Sequence, residues 1–172
     1  VVFKEYFMNF YKDKKVLVFG LGLLGGGVAT TNWLLKHGAK VTVTDLKTVE
    51  QLKPSLEKIK GPVDFKLGGH SEVDIDAANI VVLNQDIALN NKYVQYALKT
   101  GKPIETEGTL FFKLFSKRIL AITGTRGKTT TTAWANVFME SIYRSSTAGN
   151  WGDINPFLEV VDRGEELDIA VT

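Results

Sequence analysis

The chain has 172 residues, of which 44% are hydrophobic and 23% are charged, and this composition is that of a globular protein with a buried core rather than of a disordered tail. Its 21 basic and 19 acidic side chains nearly cancel, which argues against the broad positive surface that nucleic-acid binding requires. Because the chain has no cysteine and only two histidines, disulfides and thiolate zinc sites are excluded and an imidazole metal cluster is disfavoured.

The longest nearly apolar segment does not predict a membrane helix. It covers residues 16–29, only 14 residues, and contains five glycines. The lack of cysteine is compatible with a reducing compartment. We expect a cytoplasmic protein whose partners include neither a membrane nor a nucleic acid. We also expect it to be a monomer.

Short runs of β-branched and apolar residues alternate along the chain with segments of helical length. The runs predict eight strands, at residues 16–19, 41–44, 63–67, 80–83, 103–105, 119–123, 145–148 and 167–172. Alternating strands and helices predict an α/β fold with a mostly parallel, helix-covered sheet.

Two glycine-rich turns, each directly after a predicted strand and before a helix, divide the chain. They lie about 100 residues apart, at residues 20–27 and 124–127, and this spacing suggests two nucleotide-handling domains. The fifth strand ends near Thr106, which places the predicted domains at residues 1–106 and 107–172.

The first turn has the pattern G-x-G-x-x-G, formed by Gly20, Gly22 and Gly25. Asp45 follows Gly25 by 20 residues, at the end of the next strand. Glycine permits a tight turn, helix N-terminal amides face an anion, and a carboxylate can accept ribose hydroxyls. The alternative is that the glycines only form a tight corner and Asp45 is a solvated cap. The pattern does not name the nucleotide.

The second turn resembles a shortened phosphate-binding loop that opens a helix running to about Tyr143. Its residues are Gly124, Thr125, Arg126, Gly127, Lys128, Thr129 and Thr130. Successive N–H groups can surround phosphate oxygens, Lys128 supplies a positive charge, and the Thr129 hydroxyl can bind Mg²⁺. The alternative is a threonine-rich helix cap beside an unrelated lysine.

Three further residues are assigned structural roles. His70 follows two glycines and is interpreted as a turn residue rather than a ligand. Trp33 and Trp134 are interpreted as helix-packing residues rather than stacking platforms.

The motifs together resemble the Mur ligases of peptidoglycan synthesis, and most of all their D-glutamate-adding branch. The resemblance is carried by Gly20-Leu21-Gly22-Leu23-Leu24-Gly25, Val43-Thr44-Asp45, Ile87-Ala88-Leu89, residues 105–112 and 123–130, and Gly149-Asn150-Trp151-Gly152. It implies a Rossmann-like parallel-sheet domain followed by the beginning of a P-loop α/β ATPase domain. It also implies that the chain is the N-terminal portion of a ligase and is inactive by itself.

The resemblance further implies an ATP-dependent amide ligation. The γ-phosphoryl group would pass to the L-alanine carboxylate of UDP-N-acetylmuramoyl-L-alanine, and the amine of D-glutamate would attack the resulting acyl phosphate. The uridine diphosphate substrate would contact Gly22, Leu23, Leu24, Asp45, Leu46, Lys47 and Asn150. ATP would lie on the loop from Gly124 to Thr130, with Lys128 as the catalytic charge and Thr129 as a ligand of Mg²⁺.

The sequence departs from the family pattern at two places. Asn84-Gln85-Asp86 stands where the family commonly has S-P-G or N-P-G, which removes a Pro-Gly turn and adds a carboxylate. Leu24 stands where a small polar residue is frequent, so backbone amides would replace a hydroxyl contact.

Two other classes of protein remain open. An NAD(P)-dependent oxidoreductase would account for the first glycine turn and Asp45 but not for the second turn. A non-catalytic nucleotide-binding module would account for nucleotide affinity without ligation.

Overall fold

Strands and helices alternate along residues 10–149 and 156–172, the part of the chain that this computed structural model describes. The chain forms two compact units, Val1–Thr109 and Leu110–Thr172. The division falls inside a helix, Glu107–Leu114, that follows the fifth strand. The domain bounds at residue 106 stay a prediction.

The first unit contains a parallel sheet of five strands in the order β3-β2-β1-β4-β5. Its elements are β1 Lys15–Phe19, α1 Gly26–Lys36, β2 Lys40–Asp45, α2 Val49–Leu56, β3 Asp64–Leu67, α3 Glu72–Ala77, β4 Ile80–Leu83, α4 Lys92–Lys99, β5 Ile104–Thr106 and the start of α5 Glu107–Leu114. From β1 the chain runs outward to β3 and then returns to the other side of β1. The strand order therefore reverses between β1 and β4.

The central strands are apolar because both faces of the sheet are covered. All four residues of β4 are buried, as are the last four of β1. On one face, Leu17 and Phe19 belong to a buried cluster with Ile75 of α3 and Val94 of α4. The edge strand β3 is mostly exposed, in keeping with its charged residues.

The second unit contains a smaller parallel sheet of three strands in the order β6-β8-β7. Its elements are the end of α5, β6 Arg118–Leu120, α6 Lys128–Glu140, β7 Ser145–Thr147, α7 Phe157–Asp162, a 3₁₀ turn Gly164–Glu166 and β8 Ile169–Val171. Phe111 is fully buried beside Phe115 and Phe157, with ring centroids 5.2 and 5.0 Å from its own. These three rings contribute to the core of this unit.

The α/β fold class predicted from the alternating pattern is confirmed, and each predicted strand corresponds to an observed one. Two local predictions are wrong. The helix after the second glycine turn ends at Glu140 rather than near Tyr143. Trp33 is buried as predicted, but Trp134 is 62% exposed, on a face of α6 that also exposes Val137 and Phe138.

No helix within the described ranges has both the length and the apolar character that crossing a membrane requires. The longest of them, α6, has 13 residues.

Candidate functional site

The carboxyl edge of the five-stranded sheet brings together the first glycine turn and the segment after β4. The turn at residues 20–25 follows β1, and Asn84 follows the neighbouring β4. In open parallel sheets, ligands bind outside the carboxyl ends of the strands at the point where strand order reverses. This edge is therefore the candidate site of the first unit.

The glycines of the turn adopt a backbone conformation that other residues avoid. Gly20, Gly22 and Gly25 have φ of 93°, 63° and 100°. A fourth glycine, Gly27, is required by packing, because a Cβ there would lie 2.2 Å from the carbonyl oxygen of Leu21. The glycine at position 27 thus lets α1 begin directly against the turn.

Asp45 is buried at the end of β2, with 5% of its surface exposed, and its carboxylate holds the turn. Its Oδ2 accepts the N–H of Leu21 at 2.9 Å and that of Gly22 at 3.0 Å. Its Oδ1 accepts the N–H of Lys47 at 2.9 Å. The carboxylate is therefore a structural anion of the turn, and the Gly22 N–H is already engaged.

Two residues that the sequence motif did not identify bind carbonyl groups of the same turn. The hydroxyl of Ser55, in α2, donates to the carbonyl of Gly22 at 2.7 Å. The Asn84 amide donates to the carbonyl of Gly20 at 3.2 Å. A lone serine in a helix has no sequence signature, whereas Asn84 drew attention only as a departure from a family pattern.

The next residues of the turn leave their backbone donors available. Within the described residues, the N–H groups of Leu23, Leu24 and Gly25 make no hydrogen bond. The side chains of Leu23 and Leu24 are exposed, and so are those of Leu46 and Lys47 after β2. Consecutive free amides before a helix can bind an anion, and Lys47 adds a positive charge at the same edge.

The segment Asn84-Gln85-Asp86 forms a turn although it lacks proline and glycine. The N–H of Ile87 donates to the Asn84 carbonyl at 3.0 Å. The N–H of Asp86 donates to the Asn84 side-chain oxygen at 3.3 Å. An asparagine side chain thus stabilises this turn locally, as asparagine often does, and the Asp86 side chain is exposed.

His70 lies beneath the carboxyl edge. Its ring stacks on Phe19 with centroids 3.9 Å apart, and its Nδ1 is 2.8 Å from the Thr44 hydroxyl oxygen. Burial lowers the pKa of His70 because it disfavours the charged imidazolium, although Asp45 and Asp74 oppose this shift. The sequence placed His70 in a turn but could not show this packing.

The second glycine turn lies between β6 and α6 in the second unit. Gly127, with φ of 77°, is the N-cap of α6, and Lys128 is its first residue. The Lys128 Nζ donates to the carbonyl of Gly124 at 2.6 Å, which folds the side chain back over the loop. The seven loop residues are exposed.

The donors of this loop fit a phosphate group. In the described ranges, the N–H groups from Thr125 to Thr130 have no acceptor, and the Thr129 hydroxyl makes no hydrogen bond. Six unpaired donors and one lysine at a helix N-terminus are the groups that bind a polyphosphate. A threonine oxygen in the first helical turn is a suitable ligand for Mg²⁺.

A family model described as the N-terminal domain of MurD-like Mur ligases matches residues 14–106, more than half of the chain. The chain belongs to the Mur ligase family. The match contains the whole five-stranded sheet and the candidate site at its carboxyl edge.

Among curated Mur ligases, the chain is 42% identical over 139 residues to the UDP-N-acetylmuramoylalanine--D-glutamate ligase of Roseiflexus sp. (strain RS-1), covering 80% of this chain and 30% of that protein. It is 40% identical over 145 residues to the enzyme of the same name from Borreliella afzelii (strain PKo), covering 82% and 31%. The chain thus spans about a third of the length of these relatives. A solved pseudomurein peptide ligase type C from Methanothermus fervidus aligns over 93% of this chain and 32% of its own, with a TM-score of 0.49 and 23% identity.

The residues that the sequence predicts to bind substrate or ATP fall into two groups. Gly22, Leu23, Leu24, Asp45, Leu46 and Lys47 meet at one edge of the first unit. Gly124 to Thr130 form one loop of the second unit. Asn150 lies outside the described residues. The binding roles of both groups and of Asn150 stay predictions.

Proposed function

We propose that the first unit binds the uridine diphosphate portion of UDP-N-acetylmuramoyl-L-alanine. The observation that carries this proposal is the row of free N–H groups at Leu23, Leu24 and Gly25, at the strand-order reversal of a Mur ligase domain. Lys47 would add charge toward the diphosphate, and Leu46 would pack against the nucleotide. Asp45 would act mainly by holding the turn through Leu21 and Gly22.

For the second unit we propose ATP binding on the loop from Gly124 to Thr130. Its N–H groups would hold the phosphates, and Lys128 would leave the Gly124 carbonyl to approach the γ-phosphoryl group. Thr129 would hold Mg²⁺, which neutralises phosphate charge when it is bound. The Lys128 charge would stabilise the phosphoryl group during transfer.

The reaction we propose for the ligase to which these units belong is the addition of D-glutamate to UDP-N-acetylmuramoyl-L-alanine. The L-alanine carboxylate takes the γ-phosphoryl group of ATP, and the D-glutamate amine then displaces phosphate from the acyl phosphate. Membership of the family and identities of 40% and 42% to two D-glutamate ligases support this substrate class. We propose the cytoplasm as its compartment and a monomer as its form.

Nucleotide titrations of the 172-residue chain test the first site. We expect saturable binding of UDP, measured calorimetrically, and no comparable binding of NADH, measured by its fluorescence. Preference for NADH would instead favour an oxidoreductase domain and overturn the proposal.

The two-site assignment is tested by Lys128→Ala, with the exposed Lys99→Ala as a control for loss of one charge. We expect Lys128→Ala to weaken Mg²⁺–ATP binding by about tenfold or more, since hydrogen bonds to charged groups contribute about 1.5–3 kcal/mol. UDP binding should not change in either variant. Loss of both nucleotides in Lys128→Ala would contradict separate sites.

A further inference from the structure

Ser55 has a role at the carboxyl edge that neither the motif nor the family match assigns. It is 3% exposed in α2, and its hydroxyl donates across 33 residues to the carbonyl of Gly22 at 2.7 Å. A helical serine commonly bonds to a carbonyl of its own helix, one turn earlier. Here the hydroxyl instead donates to the glycine turn that follows β1.

The carbonyl of Gly22 and the N–H of Leu23 belong to one peptide group. A trans peptide is planar, and its C=O and N–H point in opposite directions. No cis peptide occurs among the described residues. Fixing the Gly22 carbonyl on Ser55 therefore directs the Leu23 N–H away from α2.

An earlier peptide of the turn, the one between Gly20 and Leu21, follows the same geometry. The carbonyl of Gly20 accepts from Asn84, after β4, while the N–H of Leu21 donates to Asp45, at the end of β2. Because β4 and β2 flank β1 on its two sides, these partners lie on opposite sides of the turn. In both peptides, the partner of the carbonyl thus helps to set the direction of the N–H that follows it.

The peptide that follows Gly22 needs a hydrogen-bond partner to fix its direction. With φ of 63° and no Cβ, it has little steric restraint on rotation of the peptide that follows it. Asp45 fixes only its N–H, at 3.0 Å. Without Ser55, the Gly22–Leu23 peptide would be free to turn its N–H elsewhere.

We propose that Ser55 is a positioning residue of the nucleoside diphosphate site, which it serves by aiming the N–H of Leu23 at the ligand. The inference rests on the proposed function of the first unit and adds to it a residue that need not touch the nucleotide. Ser55 acts before binding, because a preorganised donor loses less conformational freedom when the ligand arrives.

UDP titration of Ser55→Ala in the 172-residue chain tests the proposal. Loss of one such hydrogen bond corresponds to an affinity loss of up to about tenfold. The matched control is Thr31→Val, since Thr31 is also fully buried and its hydroxyl also donates to a glycine carbonyl, that of Gly27, at 2.7 Å. Both variants should lose stability, but only Ser55→Ala should bind UDP more weakly.

Amide spectra provide a second readout, which follows the Leu23 N–H itself rather than the affinity for UDP. In ¹H–¹⁵N spectra of the unchanged chain, the Leu23 amide should shift when UDP is added. In Ser55→Ala that shift should shrink while the signals of Leu21 and Gly22, held by Asp45, change little.

The outcomes separate the two claims. Failure of the unchanged chain to bind UDP overturns the proposed function and this inference with it. Equal UDP affinity in Ser55→Ala and the unchanged chain, or a Leu23 amide that does not move at saturating UDP, overturns the role of Ser55 alone.

Discussion

The Asp45 carboxylate accepts a hydrogen bond from the Gly22 N–H at 3.0 Å. The acidic residue of the nucleotide-binding motif is therefore bound to the glycine turn of the same motif. In sequence terms, such a carboxylate is expected to accept ribose hydroxyls. In the structure it already satisfies the N–H groups of Leu21, Gly22 and Lys47. Its first effect is therefore on the conformation of the site.

Replacing Asp45 should destabilise the first unit even without nucleotide. In Asp45→Asn, one acceptor oxygen becomes an amide donor, so at least the Lys47 N–H loses its acceptor and faces another donor, at a cost of about 1–3 kcal/mol. Urea unfolding checks this, with Trp33 as the reporter after Trp134 and Trp151 are replaced by phenylalanine. The exposed Asp86→Asn is the control and should leave stability unchanged. A stable Asp45→Asn with weakened UDP binding would instead show a direct ligand contact.

Gly27 should tolerate no side chain. A Cβ in Gly27→Ala would lie 2.2 Å from the Leu21 carbonyl oxygen and 2.8 Å from that of Gly20, so α1 must move away from the turn. We expect a loss of about 3 kcal/mol, the upper range for overpacking. Gly69→Ala is the control, because nothing lies within 4 Å of its added Cβ. Similar unfolding midpoints for the two variants would contradict this packing.

The arrangement around the first glycine turn shows what a sequence can predict and what it cannot. The strand before Gly20, the turn itself and the position of Asp45 are local patterns, and the structure contains all three. The bond from Ser55 to Gly22 joins residues 33 positions apart and has no periodicity or motif. Such contacts depend on how α2 packs against the turn, which only the folded chain defines.

Trp134 is a case in which the sequence predicts packing that the structure does not contain. A large aromatic residue in a helix is usually a core residue, and this expectation is correct for Trp33. The buried residues of α6 are Thr132 and Asn136. Trp134 lies on another side of the helix and is 62% exposed. Helical spacing identifies a shared face but does not say which face is covered.

His70 should make the stability of the first unit depend on pH. Its pKa is lower in the folded state because burial disfavours the imidazolium, so below the unfolded pKa of about 6.5 the unfolded chain binds more protons. The stabilisation is present above that pH and is lost as pH falls through the lower folded pKa. His70→Phe keeps a ring on Phe19 and should flatten the dependence of unfolding free energy on pH between about 7 and about 5. An unchanged slope would contradict the assignment.

Neighbouring phenylalanines in α5 provide a paired test of the core of the second unit. Phe111 is fully buried between the rings of Phe115 and Phe157, whereas Phe112 is 55% exposed. Phe111→Ala should cost about 3–5 kcal/mol because it leaves a cavity that the surrounding rings cannot fill. Phe112→Ala removes the same atoms from a largely solvated position and should cost far less. Thermal unfolding of the 172-residue chain measures both losses of stability. The fluorescence of Trp134 reports the unfolding once Trp33 and Trp151 are replaced by phenylalanine. Equal losses would contradict the burial of Phe111 and the exposure of Phe112.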